Sequence, residues 1–223
     1  MVSKGLMASW AFIDFLLLGA AGMSIALSIV WRAPDILMNM AISNEFLTAG
    51  LVLGIFLAFT FLVSLGAVVQ PNHVVRGFVI LNWLLLVDAI VVTVVGTMIW
   101  FFSLRQRNEF QLKWTALSAN DRLTIQNDHS CCGYLSGADA EIGGFCGNTT
   151  FVQGLAANVS TNFCVSPITA FTDYTLENTF TTIYGFMAVV LSLLVCSLCV
   201  IKKRQEEERF KKIDAKRGGR GFV

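Results

Sequence analysis

The chain has 223 residues, of which 55% are hydrophobic and 14% are charged, and its formal net charge is +1. This composition is too apolar for a soluble domain of that length, so we expect a membrane protein. The charges are uneven: nine Lys and Arg face four acids from position 202 onward, whereas about 103–179 carries seven acids and four bases.

Four apolar runs, at about 7–31, 47–69, 77–102 and 180–201, are long enough to cross a bilayer core, which needs roughly 20 residues. We therefore predict an all-α membrane protein with four transmembrane helices. Residues 1–102 would hold the first three helices and a short extracellular loop at 32–46. Residues 103–179 would form a large extracellular loop, 180–201 the fourth helix, and 202–223 a basic cytoplasmic tail. The first run is too long for the apolar core of a signal peptide, and Asp14 interrupts it.

Basic residues near the ends of the spans predict the orientation. Lys4, Arg76 and the cluster at 202–204 fall on one side, which places both termini in the cytoplasm. The sequons at Asn148 and Asn158 agree, because N-glycosylation sites are used only on the lumenal or extracellular side. We expect an integral, multi-pass protein of the plasma membrane or of endomembranes.

Polar residues inside the predicted spans are expensive to insert and need an explanation. Asp14 lies in the first span, and Asn82 and Asp88 lie in the third. We hypothesise that Asp14 and Asn82 hydrogen-bond between helices, with Asp88 facing a polar cavity. Three interpretations stay open: contacts that join helices, a cavity for a lipid or sterol, and a transport path.

Small residues at regular spacing mark where two helices approach closely in lipid. They occur in the first span as Gly19, Gly22 and Ala26, and in the second as Gly50, Gly54 and Ala58. We predict that these two spans pack as an antiparallel pair.

The large loop is predicted to be helical at both ends. An apolar stripe follows the third span at Phe110, Trp114 and Leu117, and Ser118 with Asp121 is typical of a helix start. Ser166-Pro167 predicts the start of the helix that enters the fourth span, with Ser as the cap. Between these helices, 136–162 is rich in small polar residues and is interpreted as the variable, exposed part.

Four cysteines in this loop predict an oxidising compartment and two disulfide bonds. Cys131 and Cys132 are adjacent and cannot easily bridge each other, so each needs a partner. Cys146 and Cys164 are available, and both ways of pairing remain open at this point. Gly133 follows the adjacent pair and suits a helix end that needs a positive φ.

Four spans, both termini inside, a short first loop, and Cys131-Cys132-Gly133 with two later cysteines together resemble a tetraspanin. The large loop is short for that family. Gly144-Phe145 stands before Cys146 where Pro-x-Ser is usual, and the fourth span lacks an acidic or amide residue. With these departures the chain is most similar to the fungal tetraspanins of filamentous ascomycetes.

The resemblance implies bridges Cys131–Cys164 and Cys132–Cys146, and a role in polarised growth and in host penetration from an appressorium. It implies a membrane scaffold whose partners are other membrane proteins, further copies of itself, and membrane lipids or sterol. We expect no enzyme activity, no cofactor, no metal site and no nucleic-acid partner. The alternative function is a transporter of a small ion, a lipid or a sterol that uses Asp14, Asn82 and Asp88.

Two further cysteines, Cys196 and Cys199, lie on one helical face near the inner end of the fourth span. Juxtamembrane cysteines of this kind are typical sites of S-acylation with palmitate. A redox or zinc role would need further ligands in a suitable context, which the sequence does not offer.

Overall fold

The computed structural model describes residues 4–33, 35–70, 75–147 and 162–216, and the statements below concern those residues. Their regular structure is entirely helical. The α-helices are α1 Lys4–Val30, α2 Ile36–Ala41, α3 Asn44–Val69, α4 Arg76–Ala116, α5 Ala119–His129 and α6 Val165–Lys216, with short 3-10 helices at Gly137–Asp139 and Gly144–Cys146.

Four of these helices, α1, α3, α4 and α6, are long and apolar enough to cross a membrane. The prediction of an all-α chain with four such helices is therefore confirmed. Two of them are longer than the apolar runs: α4 has 41 residues and α6 has 52. Hydropathy marks where a helix is apolar and not where it ends: α4 continues by packing Phe110 and Trp114 in a core, whereas α6 continues to Lys216 as an exposed helix.

The chain folds as two compact units. The first comprises Met1–Ile29, Thr48–Gly96 and Thr182–Val223, and the second comprises Val30–Leu47 and Thr97–Thr181. The second unit therefore includes the residues predicted as a short first loop as well as those of the large loop.

In the first unit, α1 and α3 pack as an antiparallel pair, as predicted. Ser24 donates a hydrogen bond to the carbonyl oxygen of Gly50 at 2.7 Å. A methyl group at Gly54 would lie 3.1 Å from the carbonyl oxygen of Ala21 and 2.6 Å from Cγ1 of Ile25. Gly50 and Gly54 thus let the backbones approach, which is how helices associate in lipid without a hydrophobic driving force.

The small-residue face predicted on α1 is wrong. A Cβ atom added at Gly19 or Gly22 would meet nothing within 4 Å, and Ala26 is exposed. The face of α1 that is buried carries Ala21 and Ser24 instead. Serine is small, and its hydroxyl can bond to backbone carbonyl oxygens, so Ser24 can lie where the two helices approach closely.

The second unit contains a helix that the sequence analysis treated as loop. Asp35 begins α2 by accepting hydrogen bonds from the backbone N–H groups of Leu37 and Met38, both at 3.0 Å. At the other end of α2, Nζ of Lys113 donates to the carbonyl oxygen of Met40 at 2.8 Å. The signal was present, because an aspartate directly before an apolar run is a common helix start.

The hydrophobic core of the second unit combines α2, α4, α5 and the start of α6. Its buried members are Met40, Phe110, Trp114, Ile125, Cys131, Tyr134, Cys164 and Ile168. The predicted stripe on α4 is confirmed by the burial of Phe110 and Trp114, and Leu117 packs against the same core.

Two predicted helix ends differ from the structure. Helix α5 begins after Ser118 as predicted, and the hydroxyl of Ser118 accepts a hydrogen bond from the N–H of Asp121 at 3.2 Å. The left-handed residue at its end is Ser130 with φ 50°, not Gly133. Helix α6 begins at Val165, so Ser166 and Pro167 lie inside its first turn, where a missing N–H costs nothing.

Candidate functional site

The four cysteines of the second unit form two disulfide bonds. Cys131 is joined to Cys164 with an S–S distance of 1.97 Å, and Cys132 to Cys146 at 1.99 Å. These are the pairs that the family resemblance implied. All four residues are buried, so the adjacent cysteines tie two separate parts of the chain to one point in the interior.

The glycine after the paired cysteines makes a turn that no other residue fits. Gly133 has φ +70°, and a Cβ atom there would collide with the carbonyl oxygen of Ser136. The carbonyl oxygen of Gly133 accepts a hydrogen bond from the N–H of Cys164 at 2.8 Å. The carbonyl oxygen of Tyr134 accepts one from the N–H of Val165 at 3.2 Å. The turn is therefore fixed to the beginning of α6 by backbone hydrogen bonds as well as by a disulfide.

Two buried aromatic side chains of this unit have polar groups, and each of these groups donates a hydrogen bond. Nε1 of Trp114 donates to the carbonyl oxygen of Asp139 at 3.1 Å. The hydroxyl of Tyr134 donates to the carbonyl oxygen of Arg107 at 2.9 Å. Burial raises the pKa of Tyr134 to about 12, because the phenolate would lose its hydration, and the positive charge of Arg107 opposes this only in part. The tyrosine thus stays neutral and donates its hydrogen bond at physiological pH.

Helix α5 holds the segment before Cys146 with polar side chains. Arg122 forms an ion pair with Glu141 at 3.3 Å. Oε1 of Gln126 accepts from the N–H of Glu141 at 3.2 Å, and Oδ1 of Asn127 accepts from the N–H of Phe145 at 2.8 Å. Two backbone donors that belong to no long helix are satisfied in this way.

The glycine pair before Cys146 allows this close contact with α5. A Cβ atom at Gly143 would lie 2.9 Å from the side chain of Leu123, and one at Gly144 would overlap the amide of Asn127. Gly144 also has φ +50°, which favours glycine. Gly143, Gly144 and Asn127 thus fix the approach to the disulfide of Cys146, although the chain lacks the Pro-x-Ser motif that is usual in the family it resembles.

Large apolar side chains stand exposed on this firmly held segment. Ile142 is 61% exposed and Phe145 is 47% exposed, and they flank the glycine pair that packs on α5. Leu135, in the turn after Gly133, is also largely exposed. Apolar residues of this size, presented on a rigid backbone, are typical of protein interaction surfaces. We name Leu135, Ile142 and Phe145 the apolar rim.

In the first unit, both acidic residues of the spans are buried against hydroxyl groups of α3. Ser64 donates to Oδ1 of Asp14 at 2.5 Å, and the side chain of Thr60 hydrogen-bonds the carboxyl group of Asp88. Asp14 and Asp88 are each buried, so neither faces the outside of its unit. The hydroxyls lie one turn apart on α3, which therefore serves both acids from one face.

The predicted hydrogen bond between Asp14 and Asn82 is wrong. Asn82 instead accepts from the hydroxyl of Ser197 on α6, while Asp14 bonds to Ser64 on α3. Equal depth along two helices does not make their side chains neighbours, because the direction in which each residue points also has to match. Each of these contacts joins two helices, as the interpretation of Asp14, Asn82 and Asp88 as interhelical contacts requires.

At the C-terminal end of the first unit, Cys199 is exposed and Cys196 is half-buried. Shortly after them, the guanidinium group of Arg204 lies 4.6 Å from the ring centroid of Phe78 and is buried. The edge of Trp10 meets the same phenylalanine, with ring centroids 6.0 Å apart. The beginning of the basic tail is thus packed on α4, whereas no pattern in the sequence indicated such a contact.

Several predicted features lie outside the described residues. They are the sequons at Asn148 and Asn158 and residues 148–161 of the variable stretch at 136–162. Comparison of the chain with protein-family models, with curated proteins and with solved structures found no match.

Proposed function

We propose that this protein is a tetraspanin-like membrane scaffold that gathers partner membrane proteins laterally through its second unit. The observation that carries the proposal is the apolar rim, because Ile142 and Phe145 are exposed on a segment that a disulfide and α5 hold in place. Because this segment is already ordered in the free protein, it loses little conformational entropy on binding, and a small surface can then bind more tightly. The large loop would then lie outside the cell or in a lumen, with Asn148 and Asn158 available for glycosylation.

The same proposal places both termini in the cytoplasm and lets the basic tail contact anionic lipid, at about 1 kcal/mol per basic residue near the surface. The family resemblance extends it to polarised growth and to host penetration by fungal infection structures. Further copies of the chain and sterol or lipid molecules are proposed as additional partners.

The test is photo-crosslinking in the cell's own membranes. A photoreactive phenylalanine analogue is placed at Phe145 of the tagged, full-length protein, and crosslinked proteins are identified by mass spectrometry. A matched control carries the analogue at Tyr174, an exposed aromatic residue on α6 in the same unit. We expect a small set of membrane proteins from position 145 that Ile142→Asp removes. The proposal is wrong if both positions capture the same set, or if Ile142→Asp has no effect while both disulfides remain intact.

The transporter alternative makes a different prediction about the intramembrane acids. A double variant Asp14→Asn, Asp88→Asn keeps its crosslinked partners if the protein is a scaffold. If the protein is a transporter, the same variant loses flux in reconstituted vesicles. The hydrogen bonds from Ser64 and Thr60 support the first outcome, because they give both acids a role in packing.

We also propose S-acylation at the inner end of α6, with Cys199 as the main site because it is the exposed member of the pair. Labelling with an alkyne-bearing palmitate, followed by click detection, should fall strongly in Cys199→Ala and less in Cys196→Ala. Unchanged labelling of the double variant would rule out acylation at both positions.

A further inference from the structure

Asp88 is nearly completely buried in the part of α4 that is long and apolar enough to span a membrane. Its side chain is 1% exposed, and Thr60 on α3 hydrogen-bonds its carboxyl group. The other carboxyl oxygen, Oδ2, is buried and has no hydrogen-bond partner among the described residues. A carboxylate accepts hydrogen bonds through both oxygens. An oxygen that is buried without a donor therefore disfavours the charged form far more than the neutral acid.

The helix stretches around Asp88 contain no basic residue that could compensate a negative charge. Arg204, the basic side chain of α6 that packs on α4, meets Phe78, which lies ten residues or about 15 Å before Asp88 along the axis. Lys, Arg and His are absent from residues 5–31, 44–70, 77–104 and 165–201. On α4 itself the nearest basic residues are Arg76 and Arg105, which lie about 18 and 25 Å from Asp88 along the axis at ~1.5 Å per residue. A buried acid without a counter-ion is expensive as an anion and far less so when protonated.

Within 5–29, 48–69, 77–96 and 182–201, the stretches of the first unit that carry no basic residue, the other titratable groups are all acids. Helix α1 contributes Asp14, α6 contributes Tyr184, Cys196 and Cys199, and α3 contributes none between Glu45 and its end at Val69. The hydroxyl of Ser64, one turn from Thr60, is already donated to Asp14. None of these groups carries a positive charge in any protonation state, so none favours an anion at Asp88.

We propose that Asp88 is an intramembrane proton-binding site. Its carboxyl group is a neutral acid at neutral pH, with the proton on Oδ2 and the other oxygen bonded to Thr60. Loss of the proton places an unpaired charge between α3 and α4, so the contact between these helices depends on pH. This site goes beyond the scaffold function, which would stand whether or not Asp88 is protonated.

Infrared spectroscopy of the full-length protein in lipid bilayers tests the site directly, because the carbonyl stretch of a protonated carboxylic acid is separate from the amide bands. Aspartate labelled with ¹³C at its side-chain carboxyl assigns the band to this residue type by its isotope shift. We expect the band in the native protein at pH 7, its loss in Asp88→Asn, and its retention in Asp14→Asn.

Two results would overturn the assignment. One is that the isotope-shifted carbonyl band is missing at pH 7 from the labelled native protein or from labelled Asp14→Asn. This result does not require that Asp88→Asn folds. The other is a band that disappears in Asp14→Asn, which would place the proton on the acid of α1 or share it between the two.

Discussion

Asn127 on α5 accepts the backbone N–H of Phe145 through Oδ1 at 2.8 Å, across 18 positions of sequence. The contact orients the 3-10 turn at Gly144–Cys146, and with it one exposed member of the apolar rim. The proposed recognition surface therefore depends on a side chain that does not itself belong to that surface.

Replacing Asn127 by alanine should loosen this turn without unfolding the unit. A single exposed hydrogen bond is worth about 1 kcal/mol, so amide exchange at Phe145 should quicken roughly fivefold. Hydrogen exchange measured by mass spectrometry on the peptide that covers 141–147 gives the readout. Asn120→Ala, an exposed position on the same helix, is the control. Equal exchange in both variants would mean that Asn127 does not hold the turn.

A methyl group at Gly54 should disturb the pairing of α1 and α3. Gly54→Ala brings Cβ against Ile25 and against the carbonyl oxygen of Ala21, which cannot move without its helix. Overpacking of this kind costs about 1–3 kcal/mol. Thermal unfolding in detergent should show a lower midpoint for Gly54→Ala. Gly22→Ala, where the added Cβ meets open space, should not lower the midpoint, and a similar drop in both variants would contradict the proposed contact.

The two disulfides should differ in their importance. Cys131 and Cys164 belong to the large core with Trp114, whereas Cys132 and Cys146 pack with Ala140 and Phe163 in a small cluster. In the chain-entropy treatment the longer bridge is worth about 3.7 kcal/mol and the shorter about 3.0. We expect Cys131→Ala, Cys164→Ala to make the second unit more sensitive to protease than Cys132→Ala, Cys146→Ala. The reverse order would show that the segment before Cys146 matters more than the core.

The pKa of Tyr134 predicts a loss of stability in alkali. Burial raises this pKa from 10.0 to about 12, so the unfolded chain releases the proton at lower pH than the folded chain. Unfolding is then favoured as pH rises between about 10 and 12, and the contribution of this residue is complete below that window. Rapid pH-jump measurements of tyrosinate absorbance should show a late step that Tyr134→Phe removes. The control Tyr174→Phe, at an exposed position, should keep it, and a late step that survives in Tyr134→Phe would refute the assignment.

Much of the fold followed from patterns that lie close together in the sequence. Apolar length gave the four long helices, and the spacing of Phe110 and Trp114 gave the buried stripe of α4. Ser118 gave the start of α5, because a cap and its target are only three residues apart. In each case the residues that decide the structure are neighbours along the chain.

The contacts that depend on helix rotation could not be predicted in the same way. Asp14 and Asn82 lie at similar depth, yet Ser64 and Ser197 are their partners. Gly22 and Gly54 look alike in the sequence, yet only Gly54 faces another helix. The contact between Gly144 and Asn127 could not be predicted either, because Asn127 lies on a different helix and no motif before Cys146 points to it.

The burial of the two disulfides also imposes an order of events during biosynthesis. Cys131 and Cys164 are buried in the same core as Tyr134 and Trp114, and Cys132 and Cys146 are buried in their own small cluster, where a folding enzyme cannot reach them. Oxidation therefore has to occur while the segment that contains Gly133 is still open, before the aromatic rings close over it. The finished protein would then keep its bridges in a mildly reducing medium, and would lose them only by first unfolding the unit they secure.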